Sequence, residues 1–322
     1  MKYAYLSDTN LKVSRICLGC MSYGDRSSKH HLWTLDEKDS TDIIHHAVDL
    51  GINFFDTANN YSAGTSEVYL GKALKNYVSR DKVIIASKVY KNEGFLSKEA
   101  IFREIDGTLT RLGTDYLDLY VIHRFDYHTP MEETLEALNE LVKVGKVREI
   151  GASSMFGYQF HNMILISKEH GWKQFKTMQN HYNLLYREDE RELIPVCKQF
   201  NVSLTPHSSL AAGRLARKDW TNESLRSQVD TVAMKKYDRT REQDAEIAQR
   251  VYEISINHNV SMGDVALAWQ QSRGVTSSII GATKKDYLDD LVRAFDVSLT
   301  EEEIKYLEEP YVAHELFGPI RE

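Results

Sequence analysis

Eight short apolar runs, separated by helical patterns, most constrain how this chain folds. They are SRICLGC (14–20), NFFDTA (53–58), KVIIASKV (82–89), LDLYVIH (117–123), REIGASS (148–154), FKTMQNHY (175–182), VSLTPHSS (202–209) and SSIIGA (277–282). Their apolar character is near-continuous rather than alternating, as in strands of a parallel sheet buried on both faces. Between them, STDIIHHAVDLG, SEVYLGKALKNY, SKEAIFREIDGTLTRLG and PMEETLEALNELVKVGK repeat apolar residues at helical spacing. Gly51, Gly113, Gly145 and Gly171 stand where such helices end. Eight β–α units in succession predict an α/β fold, a (β/α)8 TIM barrel, as a single domain over residues 1–322. The competing architecture, an open doubly wound sheet, more often carries G-x-G-x-x-G after its first strand, and the sequence has neither that nor a G-x-x-x-x-G-K-[ST].

Three segments lie outside the repeat. KYAYLSDTNLKVS reads as a hairpin about a Ser-Asp-Thr-Asn turn, placed to plug the bottom of the barrel. Residues 213–241 form a long polar connection after the seventh strand, of a length that is usually functional or disordered. TEEEIKYLEEPYVAHELFGPIRE adds a helix and an aromatic tail, whose Phe317 is a candidate to close over the mouth. The net charge of -7, from 47 acidic and 40 basic residues, is spread without a basic block, which argues against a nucleic-acid partner. MKYAYLSD reaches Asp8 before a signal-peptide apolar region develops, and no run approaches the roughly 20 residues that span a bilayer. A cytoplasmic protein without membrane insertion is the expectation. Cys17 and Cys20 form a C-x-x-C inside a strand, which puts the thiols on opposite faces, so reduced, packed cysteines are expected and no metal.

The loops that follow barrel strands converge on one mouth, so residues far apart in sequence can meet there. Asp56 closes the second run, Tyr61 lies in the Gly/Ser-rich turn after it, Lys88 falls near the end of the third run and His123 ends the fourth. A phenol with a pKa of about 10 is a poor acid at neutral pH. A neighbouring ammonium favours the phenolate and lowers that pKa. Lys88 would supply the charge, Asp56 would hold Lys88 by an ion pair, and His123 would donate a hydrogen bond to a carbonyl oxygen. Each residue alone has an ordinary explanation: a helix cap, a packed ring, a snorkelling lysine, a satisfied histidine. Four at successive strand positions point to proton transfer onto a carbonyl oxygen, lacking only a hydride source. A metal-dependent hydrolase on the same barrel would need clustered His and carboxylate ligands, for which only His123 and Asp56 are candidates.

These residues resemble the aldo-keto reductase family. The D-T-A-x-x-Y segment, the strand-end lysine and the strand-end histidine match that family's Asp–Tyr–Lys–His tetrad at Asp56, Tyr61, Lys88 and His123. The resemblance spans nearly the whole chain, through LKVSRICLGCMSYG, LTRLGTDYLDLYVIHR, GKVREIGASS, QNHYNLLYR and ALAWQQSRGV. It is nearest to the branch of bacterial and fungal open-chain reductases and potassium-channel β subunits. The family implies NADPH-dependent, reversible reduction of aldehydes or ketones to alcohols, with Tyr61 as proton donor. The β subunits imply an alternative: a redox-sensing regulatory protein with slow turnover.

By resemblance, Ser153, Ser154 and Gln179 would hold the nicotinamide carboxamide, with Ser154 where many members have asparagine. TPHSSLAAGRL is similar to the family's pyrophosphate loop at Ser208, Leu210 and Gly213, but has His207 where an aromatic ring commonly stacks on the nicotinamide and Ser209 in place of proline. SSIIGATKKDYLDD resembles the segment that reaches the 2′-phosphate, so Gly281, Thr283, Lys284 and Lys285 are cofactor candidates, with threonine where arginine is frequent. Tyr23, Trp33, Tyr90 and Phe125, just beyond strands, are candidates to wall a pocket for a small carbonyl substrate. The substrate, the oligomeric state and any lid role of 213–241 are not legible at this level.

Overall fold

The chain begins with an antiparallel hairpin, β1 (Tyr3–Tyr5) and β2 (Lys12–Ser14). Among the described residues eight parallel strands follow, one from each apolar run: β3 (Ile16–Gly19), β4 (Phe54–Asp56), β5 (Ile84–Val89), β6 (Leu117–Ile122), β7 (Val147–Ser153), β8 (Thr177–Gln179), β9 (Ser203–Leu204) and β10 (Ser278–Ile280). The helices are α1 (Glu37–Asp49), α2 (Thr65–Leu74), α3 (Lys98–Leu112), α4 (Met131–Lys143), α5 (Gly157–Glu169), α6 (Leu193–Gln199), α7 (Leu225–Val229), α8 (Thr231–Tyr237), α9 (Arg241–His258), α10 (Met262–Ser272), α11 (Lys285–Leu291) and α12 (Glu301–Glu308). This computed structural model describes residues 1–28, 31–220 and 225–318.

The sheet order is β10-β3-β4-β5-β6-β7-β8-β9. Its two ends are joined by backbone bonds in which Thr276 N donates to Leu204 O (2.9 Å) and Ile279 N to Pro206 O (3.0 Å), so the sheet curls into a barrel. Side chains alternate across each strand. One set (Cys17, Phe54, Ile84, Ala86, Leu119, Val121, Ile279) fills the barrel interior, where Leu6, Leu11 and Val13 of the hairpin join it. The other set, with Leu18, Phe55, Ile85, Tyr120 and Ile122, packs under the helices. The hairpin therefore closes the bottom by burying its own leucines, while Ser7 and Asp8 in its turn bond Asn201 O and Lys176. Cys17 lies in the interior set and Cys20, in the turn just after β3, in the outer one.

Local chemistry explains the helix ends. The Asp36 and Ser97 side chains accept the first-turn N–H groups of α1 and α3, and Gly113 ends α3 with φ of +66°, a conformation that needs glycine's freedom. The stretch 213–241 departs from expectation. Its described part is not a plain connection: it carries α7 and α8, with Asp230 capping α8 by accepting from Ala233 N at 2.9 Å. Only Ala233 and Tyr237 of α8 are buried, which leaves its composition polar and hides the helix. Residues 221–224 of that stretch, and residues 319–322 of the tail, lie outside the described residues. Among the described residues no helix is long and apolar enough to cross a membrane, and no group of His, Cys, Asp and Glu could hold a metal ion.

Candidate active site

Strand parity carries the site. Asp56 follows Phe54, Lys88 follows Ala86 and His123 follows Val121 at intervals of two, so each continues the inward-facing series of its strand at the barrel's C-terminal end. Tyr61 arrives by a different device. It opens a turn in which Ser62, Ala63 and Gly64 all take positive φ (46°, 54° and 89°), after which α2 begins. Two non-glycine residues in that region are costly locally, by about 1–3 kcal/mol each.

The four side chains meet. Lys88 is fully buried, and its Nζ donates to Asp56 Oδ1 (2.6 Å), Thr57 O (2.7 Å) and the Tyr61 hydroxyl (3.2 Å). The other Asp56 oxygen accepts from Gln179 Nε2 at 2.8 Å. The His123 ring stands edge-on to Tyr61, with centroids 5.8 Å apart and an interplanar angle of 76°. Tyr61 and His123 are each half-buried, open toward the mouth. His123 Nδ1 is buried without a hydrogen-bond partner among the described residues.

The charges follow from these neighbours. Burial pulls the Lys88 pKa down, but Asp56 and Tyr61 outweigh it, and the ammonium is held above its ordinary value. Burial lowers His123 well below the usual histidine range, aided by Lys88, Arg124, Lys91 and His207, so the imidazole is neutral. Tyr61 corrects the sequence expectation. Lys88 does pull its pKa down, but burial of the phenol is the larger effect and Asp56 adds to it, leaving the hydroxyl above the ordinary tyrosine value. The phenol is thus protonated throughout the neutral range. An ammonium has three N–H donors and no acceptor. The Tyr61 oxygen must therefore accept from Lys88, and its own hydrogen is left for the mouth.

A family model described as "Aldo/keto reductase family" matches residues 15–311. The chain belongs to the aldo/keto reductase family. It is 42% identical over 337 residues to a versiconal hemiacetal acetate reductase of Aspergillus parasiticus, covering 97% of each chain. It is 40% identical over 351 residues to a putative aryl-alcohol dehydrogenase of Schizosaccharomyces pombe, covering 99% of this chain and 98% of the relative. Among solved structures it is similar to the thermostable aldo-keto reductase Tm1743 in complex with the inhibitor epalrestat, with a TM-score of 0.79 and 27% identity over 96% of this chain and 100% of that one.

The remaining cofactor candidates divide into groups. Ser153 and Gln179 are register partners on β7 and β8. The Ser153 hydroxyl donates to Gln179 O (2.7 Å) and lies 3.1 Å from Ser154 Oγ, and Ser154 has a positive φ of 49°. With its amide nitrogen committed to Asp56, Gln179 keeps its carbonyl oxygen as an acceptor, and Ser154, whose hydroxyl hydrogen goes to Ser153 Oγ, keeps its oxygen as a second acceptor. His207 Nδ1 lies 2.9 Å from Ser208 Oγ, and the segment continues through half-buried Leu210 to Gly213, at φ of +91°. Gly281, Thr283, Lys284 and Lys285 stand exposed beyond β10.

The four aromatic candidates do not form one wall. Tyr23 is fully buried and its hydroxyl donates to Ala282 O (2.9 Å), so it packs the outer layer and offers a substrate no surface. Trp33 is 6% exposed, with the Arg226 guanidinium 4.3 Å from its ring centroid. Tyr90 packs near Phe95, with ring centroids 5.4 Å apart. Phe125 lines an outer cavity of about 540 Å³ with Tyr127, Met131, Leu165 and Ile166. Two participants escaped the sequence reading: the Thr57 carbonyl, which takes one Lys88 hydrogen, and Lys236 of α8, whose Nζ lies 3.5 Å from Ser208 Oγ. Burial, followed by Arg124 and Arg226, depresses Lys236 to about 8 against the pull of Asp230. The capping aspartate before TVAMKKY was the signal for that helix.

Proposed function

We propose that this aldo/keto reductase reduces aldehydes or ketones to alcohols with NADPH, using Tyr61 as the proton donor. The carrying observation is the triple donation by Lys88, which leaves the phenol hydrogen free at the mouth beside a neutral His123. The residues present suit the cofactor: acceptors for a carboxamide N–H at Gln179 and Ser154, the Ser208–Gly213 turn with positive φ at Ser208, Ala211, Ala212 and Gly213, and exposed Lys284 and Lys285 for a 2′-phosphate. When bound, reduced nicotinamide supplies hydride to the carbonyl carbon.

The protein's own groups do the rest. His123 donates from a ring nitrogen to the carbonyl oxygen and orients it. As negative charge grows on that oxygen, Tyr61 transfers its proton. An alkoxide is a far stronger base than a phenolate, so the transfer is downhill even from a phenol whose pKa is raised. The phenolate left behind is stabilised by the hydrogen bond from Lys88, which Asp56 and Thr57 hold in place. Asp56 is thus a positioning residue, itself fixed by Gln179.

The similar reductase and aryl-alcohol dehydrogenase make aromatic and hemiacetal-forming carbonyls the first substrates to try. An initial-rate panel of such aldehydes and ketones with NADPH and with NADH tests the reading. NADPH-dependent reduction with formation of the alcohol is expected. Tight NADPH binding without turnover on any of them would replace it with a slow regulatory role.

A further inference from the structure

Behind His207 stands a column of rings. The His181 ring lies nearly parallel to His207, with centroids 5.3 Å apart and planes 15° apart, and nearly parallel to Tyr186, at 4.0 Å and 8°. The backbones are tied as well: His181 and His207 form a parallel bridge, and His207 N donates to Asn180 O at 2.9 Å. The Tyr237 ring meets His181 edge-on at 82° and its hydroxyl lies 2.8 Å from His181 Nε2. Asn183 Nδ2 donates to that hydroxyl at 3.1 Å and to Ser208 O at 2.9 Å. His181 is 5% exposed, its ring packed against those of His207, Tyr186 and Tyr237. Burial first, then Lys236, holds both imidazoles well below the usual histidine range, so the pair stacks without charge repulsion.

We propose that His181 is a positioning residue for the cofactor: packed against Tyr186, it fixes the plane of His207 as the platform on which the nicotinamide ring rests. This rests on the cofactor reading above. A single imidazole is a smaller platform than a tyrosine or tryptophan, and the column supplies rigidity to it. The side chain that matters is His181, because among the described residues it alone touches both other rings and the Tyr237 hydroxyl.

The test compares binding of NADPH with that of 2′,5′-ADP, which has the adenosine half and no nicotinamide, by quenching of tryptophan fluorescence. In His181→Leu the NADPH Kd is expected to rise about tenfold, a plausible share of ring stacking on a flat side chain, while 2′,5′-ADP stays within about twofold. His181→Phe, which restores a ring and lacks the hydrogen bond to Tyr237, is expected to return NADPH to within about twofold of wild type. Should the leucine variant not fold, His181→Gln, without a ring but with a polar end for Tyr237, takes its place in the comparison. Unchanged NADPH affinity without the ring, equal weakening of both nucleotides, or no recovery with phenylalanine overturns the proposal. Wild-type protein that binds neither nucleotide overturns the cofactor reading, and the proposal with it.

Discussion

Lys88 has three N–H bonds and no lone pair, and that sets the direction of every hydrogen bond around it. It donates to a carboxylate, a carbonyl and a phenol, all buried or half-buried. Replacing Lys88 by Met would leave the Asp56 carboxylate buried without its cation, which typically costs about 3–5 kcal/mol. Lys88→Met is therefore expected to lower chemical-denaturation stability by that order and to abolish reduction, whereas Tyr61→Phe leaves the ion pair intact and is expected to unfold near wild type. The pH dependence follows from the same neighbours. Reduction needs the protonated phenol, so it is present below the Tyr61 pKa and lost above it, and the raised value moves that loss beyond the ordinary tyrosine range of about 10. Because His123 is neutral well below its usual value, kcat/KM for reduction is expected to be flat through neutrality and to fall only on the alkaline side. A histidine-like inflection near neutrality that disappears in His123→Gln would show that the imidazole is charged at the start of the reaction.

At the scale of elements, strand parity made the tetrad legible. The alternation that puts Phe54, Ala86 and Val121 inside the barrel also puts Asp56, Lys88 and His123 at its mouth. The Tyr61 pKa was not legible, because the burial that raises it depends on segments that meet only in the folded chain. The Gln179–Asp56 bond was hidden for the same reason, joining residues 123 positions apart. The bottom of the barrel gives an independent prediction. Leu6 of the hairpin is fully buried among interior side chains, so Leu6→Ala is expected to cost about 2–5 kcal/mol in denaturant unfolding while leaving kcat nearly unchanged at the far end. The tail gives another. Buried His314 faces two acceptors, Val312 O at 2.6 Å from Nδ1 and Asp244 Oδ1 at 3.0 Å from Nε2, which calls for a proton on both nitrogens. Burial opposes the charge but Asp244 outweighs it, so the pKa is raised. A raised histidine pKa stabilises fully below the unfolded value of about 6.5 and loses that contribution as pH rises through the folded value. Amide exchange of residues 311–318, corrected for intrinsic rates, is expected to show less protection on the alkaline side of that value, and His314→Gln is expected to remove the pH dependence.

For the whole molecule, the eight apolar runs were enough to identify a barrel, since each yields one strand and the backbone closes β9 against β10. What composition concealed was the fine structure of 213–241, where helices that bury few side chains look like a polar connection. The aromatic candidates also needed the fold, because whether a loop ring faces the mouth or the core is a matter of rotamer and packing, and Tyr23 faces the core. The account rests on one claim, that Tyr61 delivers the proton while Lys88 and Asp56 only set its state. The most direct test is single-turnover oxidation of bound NADPH by an aromatic aldehyde, in wild type and in Tyr61→Phe, with the NADPH Kd of each measured alongside. The expected result is equal NADPH affinity and a rate lower by about 10²–10⁴-fold in the variant. A Tyr61→Phe protein that binds NADPH as wild type does and turns over at the full rate would contradict the claim.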